Sequence, residues 1–261
     1  MTDLPADKGY KYVPEDRSKR ATRIADEIER LVGVSGLRVL DVGCHRGEIA
    51  TALADRYGCE VIGVDIEAQP NWDELNQHPR IKVVEGDIAQ PLSSLANESF
   101  DRIISISAWE HIRHPWSALQ QCQRYLRIDG KFYLFSMLYR SAGASHLLHR
   151  IEERWPHLLF PPEEIRERLN VPKLGYAFWC NKLTYQQYLF YFRKLGFHVT
   201  FERFNQDMFD HKTFRQYEQR LELYPMWDLK TDFFKVVLEF DSAHPKQPIA
   251  DMVYRLRHPS S

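Results

Sequence analysis

Cysteine is scarce and scattered. Cys44, Cys59, Cys122 and Cys180 are the only four in 261 residues, and no two form a C-x-x-C pair. That scatter argues against a zinc site and a disulfide framework, so no metal is expected. The thiols read as the reduced ones of a cytoplasmic protein. Charge of one sign is equally lacking, with 35 Lys+Arg against 36 Asp+Glu and a formal net charge of -1. Without a basic surplus nothing draws the chain toward nucleic acid or anionic lipid, and neither is expected as a partner. No apolar run nears the ~18 residues that a membrane span needs. The opening MTDLPADKGYKYVPEDRSKR is polar and does not read as a signal peptide. Repeats and low-complexity tracts are missing too. What is present is 44% apolar and 13% aromatic residues, in a chain long enough to bury a large core.

The order of elements follows from hydrophobic periodicity. Ala21, Ile24, Ala25, Ile28, Leu31 and Val32 recur at helical spacing behind Pro14, predicting a helix over 15–32 that Gly33 and Gly36 end. RVLDVGC (38–44) then runs into a glycine turn and a helical Ile49, Leu53, Tyr57 stripe. EVIGVDI (60–66), IKVVEGD (81–87), FDRIISIS (100–107) and FYLFSML (132–138) are further strands. Residues 71–78 read as a weak helix or loop, 116–126 as a helix, and Asp129-Gly130 as a turn. Strands alternating with helices imply an α/β fold, a doubly wound, mostly parallel seven-stranded sheet with helices on both faces.

After Leu138 the rhythm breaks. Residues 139–183, punctuated by proline, hold only a short helix near 163–169. Thr184 with Gln187 then reads as a capping box opening a helix that Gly196 stops, with Leu183 and Tyr188 as its hydrophobic staple. FHVTFERF (197–204) and FFKVVLEF (233–240) are late strands, too far apart for a tight hairpin. The expected organisation is a helical segment 1–35, a core 36–138, a cap insertion 139–183, and a closing part 184–261 with a second insertion at 205–232.

In an open parallel sheet, ligands bind beyond the carboxyl ends of the strands, where strand order reverses. The first turn reads Asp41-Val42-Gly43-Cys44-His45-Arg46-Gly47-Glu48. It lacks the G-x-G-x-x-G of a dinucleotide site, and no Lys follows Gly47 as a phosphate loop requires. Acids instead close three successive strands: Asp41, Asp65 and Asp87. Asp65 can accept from ribose hydroxyls, Asp87 from an exocyclic amine, and Asp41 can hold an ammonium, while the helix end favours a carboxylate. S-adenosylmethionine carries all of these groups.

The segments VLDVGCHRGEIA, EVIGVDI, VVEGDI, FDRIISISAWEHIRHP and LRIDGKFYLFSM, in this order over 36–138, resemble the class I S-adenosylmethionine-dependent methyltransferases, particularly the small-molecule branch. The resemblance implies that Asp41, Gly43, Cys44 and Gly47 line the methionine end of the cofactor. It likewise implies Asp65 and Ile66 at ribose and adenine, Asp87 and Ile88 at the adenine edge, and Ser105 flanking the cofactor. His45 stands where the family turn has its middle glycine.

The implied activity is methyl transfer from S-adenosylmethionine to a small-molecule or saccharide acceptor, at oxygen. Methylation at carbon or nitrogen and a non-catalytic cofactor-binding domain are the alternatives. His111, after the fourth strand in WEHI, is the candidate general base, and His146 in the insertion is its rival. The 184–195 aromatic stripe reads as core packing. Trp155, Phe178 and Trp179, in irregular segments, are candidates for an acceptor pocket. Arg17, Lys19, Arg20 and Arg23 read as a solvated helix face.

Overall fold

The computed structural model of the chain describes residues 16–95, 100–147, 150–174 and 181–240. Helix α1 (Arg17–Val32) opens the core, with Asp16 accepting from the Ser18 amide at 2.8 Å as its N-cap. Gly33 ends it at φ 59°, and the Arg102 guanidinium donates to the carbonyls of Val32 and Gly33 at 2.7 and 2.9 Å. The last carbonyls of a helix need such donors, and this one comes from a strand. Strand β1 (Arg38–Val42), α2 (Glu48–Tyr57), β2 (Glu60–Asp65), the one-turn α3 (Trp72–Leu75) and β3 (Ile81–Glu85) follow. Next are β4 (Phe100–Ile106), a 3₁₀ turn at Trp109–His111, α4 (Pro115–Tyr125) and β5 (Leu126–Met137).

The seven strands form one sheet in the order β3-β2-β1-β4-β5-β7-β6, where β6 is Phe197–Asn205 and β7 is Phe233–Phe240. All neighbours are parallel except β7, which runs antiparallel to both β5 and β6. The chain steps outward from β1 to β3 and returns to β4 on the other side of β1. The order therefore reverses between β1 and β4, at their carboxyl ends.

Strand β5 begins earlier than its apolar run suggests. Phe100 pairs with Leu126, but Arg102 pairs with Lys131, so residues 127–130 bulge opposite Asp101. A Cβ on Gly130 would lie 2.6 Å from Leu126 Cδ1 and 2.9 Å from the Arg127 carbonyl, so the expected Asp129-Gly130 turn survives as this bulge.

Helices α1 and α2 cover one face of the sheet over a core that includes Ile28, Val39, Leu53 and Tyr133. On the other face, α4 and α7 (Tyr185–Lys194) pack Leu119, Cys122, Tyr188 and Phe192 against Phe132 and Phe234. Both halves of the expected capping box on α7 are present. Its stripe is core: Tyr188 lies 5.0 Å and Tyr185 5.1 Å, ring to ring, from Phe234.

The two insertions carry short helices: α5 (Pro156–Leu159) and α6 (Pro162–Leu169) in the first, α8 (His211–Gln216), α9 (Glu218–Leu221) and α10 (Met226–Lys230) in the second. They share one small core in which Leu147, Trp155, Leu159 and Ile165 meet Leu221 and Leu229. Trp155 is fully buried there, 5.3 Å from the Phe209 ring, and packs rather than lining a pocket. Phe178, Trp179 and Cys180 lie outside the described residues.

Candidate active site

The glycine turn after β1 keeps its left-handed form at three alternate positions, with φ 79° at Gly43, 47° at His45 and 73° at Gly47. A side chain at 45 costs roughly 1–2 kcal/mol in that conformation. Neighbours hold the strained residue: its amide donates to Asp65 Oδ2 at 2.8 Å, and Trp72 Nε1 donates to its carbonyl at 2.8 Å. A Cβ on Gly43 would stand 2.2 Å from the Ala108 Cβ, so the loops after β1 and β4 meet at the reversal point only because Gly43 has none.

Beneath this turn Asp41 is 2% exposed, and its Oδ2 accepts no hydrogen bond among the described residues. Burial, then the nearby carboxylates of Asp65 and Glu48, push its pKa up to about 7. A buried carboxylate oxygen without a donor is costly unless a cationic or N–H group of a ligand completes it.

The other expected contacts divide. Asp65 sits at the end of β2 with one oxygen already engaged by the turn, and Ile66 beside it is 63% exposed, an apolar platform at the mouth. Asp87 Oδ1 accepts from the Ala89 amide at 2.9 Å. Ile88 is buried in the core on the α4 side. Cys44 also turns inward, since a Cβ on Gly63 would lie 2.7 Å from its Sγ, which leaves its backbone to face the turn. Ser105 is fully buried and donates to the Val42 carbonyl at 2.9 Å, tying β4 to β1 under the crevice.

The loop after β4 carries a second cluster. Ser107 is left-handed at φ 53°, and the 3₁₀ turn that follows buries Glu110 and leaves His111 half-buried. Glu110 is 1% exposed and accepts from Ser136 Oγ at 3.0 Å; burial raises its pKa to about 7. The His111 ring lies 5.3 Å from that of His146, which the first insertion holds at φ 56°. Burial, with His146 adding to it, lowers His111 to about 4, and burial lowers His146 as well. One potential ligand atom from each of Glu110, His111 and His146 lies within 4.8 Å of the others. Both catalytic candidates read from the sequence therefore stand together, although 35 residues apart in the chain.

Sequence reasoning missed Asn181, which holds this loop. Asn181 Nδ2 donates to the Trp109 carbonyl at 2.8 Å, its amide donates to the Glu110 carbonyl at 3.3 Å, and its Oδ1 accepts from Tyr188 at 3.1 Å. His157, 8% exposed, bonds the Tyr139 carbonyl through Nε2 at 2.6 Å, which makes that nitrogen the donor. No spacing marks these residues, because their partners come from distant segments. Only Glu110, a charge between Trp109 and His111, carried a readable signal.

Residues 40–134 match the family described as methyltransferase domain. Over this stretch, from β1 into β5, the chain is similar to a methyltransferase domain. Among curated proteins, the methyltransferase core is similar to two enzymes named ubiquinone biosynthesis O-methyltransferase. The one from Actinobacillus pleuropneumoniae is 32% identical over 124 residues, 44% of this chain and 52% of that one. The one from Pseudomonas fluorescens is 33% identical over 120 residues, 45% and 51% of the two chains. The chain thus spans about half the length of the curated relatives it matches. Among solved structures, a S-adenosylmethionine-dependent methyltransferase from Mesorhizobium loti superposes with TM-score 0.55 at 19% identity, covering 85% of this chain and 97% of that one. The 1,6-didemethyltoxoflavin-N1-methyltransferase of Burkholderia thailandensis gives 0.52 at 15%, covering 87% and 80%. At such identities these two likenesses speak for the fold. No helix among the described residues is long and apolar enough to cross a membrane.

Proposed function

We propose that the chain binds S-adenosylmethionine at the β1–β4 reversal point and moves its methyl group to a hydroxyl of a small molecule, a saccharide included, in the cytoplasm. The carrying observation is the buried Asp41 oxygen that accepts no described hydrogen bond, set under a turn whose Gly43 leaves no room for a Cβ. That pocket suits an ammonium group, and the exposed Ile66 suits the face of an adenine. When bound, the cofactor supplies a methyl group on a sulfonium sulfur, already a good leaving group.

The chain's own contributions are alignment, exclusion of water and proton removal. Asp41 and the turn would hold the donor end, and Asp65 and the backbone of the turn its ribose. With an acceptor hydroxyl in place, His111 would take its proton, and His146, beside it, would be the second acceptor. Burial keeps both imidazoles neutral at pH 7, the form that can accept a proton. The joined insertions serve as a cap that shields this step from water. Oxygen is favoured as the acceptor atom because two proton acceptors adjoin the crevice and because the curated relatives are named O-methyltransferases.

Calorimetry with S-adenosylmethionine and with its demethylated product tests the first half. The folded chain should bind both, and Asp41→Ala should weaken binding by about 1.5–3 kcal/mol. Methyl-donor turnover over a panel of alcohols, phenols, amines and activated carbon acids tests the second. Turnover of amines alone, indifferent to His111→Ala, would move the reading to nitrogen; binding with no turnover would make the chain a cofactor-binding domain.

A further inference from the structure

We infer that Glu110, His111 and His146 form a binding site for one divalent first-row transition metal ion, bridging the methyltransferase core and the first insertion. Two imidazole nitrogens and one carboxylate oxygen, each within 4.8 Å of the others, are the donor set that such borderline cations take. Bound nitrogen and oxygen ligands sit about 2.0–2.2 Å from zinc, so modest side-chain closure completes the site. The sequence reading looked for cysteine spacing and expected no metal; this donor set uses none.

Three features of the surroundings favour a ligand site over chance proximity. Ser136 Oγ donates to Glu110 Oε2 at 3.0 Å, and the backbone amides of Glu110 and Met137 also donate to this carboxylate. Carboxylate ligands are oriented by such outer hydrogen bonds. Asn181 clamps the backbone of Glu110 and Trp109 from α7's side, fixing the turn that bears two of the three donors. His146 is kept in a left-handed conformation that non-glycine residues adopt mainly where surroundings impose it. Three protein ligands also leave coordination positions open, as in sites that take water or a substrate oxygen. On the methyl-transfer reading, an ion here would occupy the imidazole lone pairs, so in the metal-bound chain the acceptor hydroxyl would sit at an open position and be acidified there, in place of proton removal by His111; the metal site itself does not depend on that reading.

The test uses the full chain stripped with a chelator. Zn²⁺ is titrated by calorimetry, and Co²⁺ by visible absorption. One equivalent should bind, with the intense ligand-field bands of low-coordinate Co²⁺. His146→Ala and Glu110→Gln should each weaken Zn²⁺ binding at least about tenfold, and Ser136→Ala by about tenfold. His146 reaches solvent, so its substitution should leave the fold intact; circular dichroism checks this for the buried Glu110. Zn²⁺ affinity unchanged in folded His146→Ala, or no saturable binding by the folded wild type, overturns the inference. S-adenosylmethionine binding is measured on the same stripped wild type, so failure of the metal site and failure of the methyl-transfer reading are separate results.

Discussion

His45 and Asp41 show how single residues carry cost for the site. At φ 47°, His45 occupies a conformation that a β-branched side chain resists more strongly still. His45→Val should lower stability by about 1–2 kcal/mol in urea unfolding. His45→Gly should be near neutral, because relief of strain is offset by a more flexible unfolded chain. Asp41 has a folded-state pKa raised to about 7 from 3.8. Its contribution is therefore fully present below pH 3.8 and is lost as pH rises through 7, where the buried carboxylate ionises without a partner. Asp41→Asn should accordingly raise the melting temperature of the ligand-free chain more at pH 8 than at pH 5. A cationic ligand reverses the balance. Binding of S-adenosylmethionine near pH 6 should release protons, seen as a binding enthalpy that varies with the buffer's ionisation enthalpy.

Among the elements, α7 was the most legible in advance and the loop after β4 the least. Thr184 and Gln187 announce the start of α7 because a capping box is a local device, complete within four residues. Thr184→Ala should cost about 1 kcal/mol in denaturant unfolding, since it frees amides at a helix start. The loop after β4 depends instead on Asn181, which reaches it across most of the first insertion. Asn181→Ala removes buried bonds to Trp109 and Tyr188 and should cost about 1–3 kcal/mol. Because Asn181 positions the turn that bears the proposed base, kcat should fall in this variant with the affinity for S-adenosylmethionine kept. Strand β5 lies between these extremes. Its apolar half was legible from 132 onward, but its bulged start depends on pairing with Phe100 and could not be read from periodicity.

Across the whole molecule, the two insertions are coupled through one core. Trp155→Ala should destabilise by about 3–5 kcal/mol, as large aromatic truncations in cores do. Hydrogen exchange should then speed up in 205–232 as well as near 155, because Leu221 and Leu229 lose the surface they pack on. Exchange confined to the neighbourhood of 155 would show the insertions to be independent. The sequence by itself determined the alternation of strands and helices, the glycine turn and the acids at strand ends, because each is set by local spacing, burial pattern or turn chemistry. Tertiary structure alone decided which side chains the crevice receives. It turned Cys44, Ile88 and Ser105 inward, left one oxygen of Asp41 without a described donor, and set His146 against His111. These outcomes depend on strand order and on contacts between segments far apart in the chain, where no spacing rule reaches.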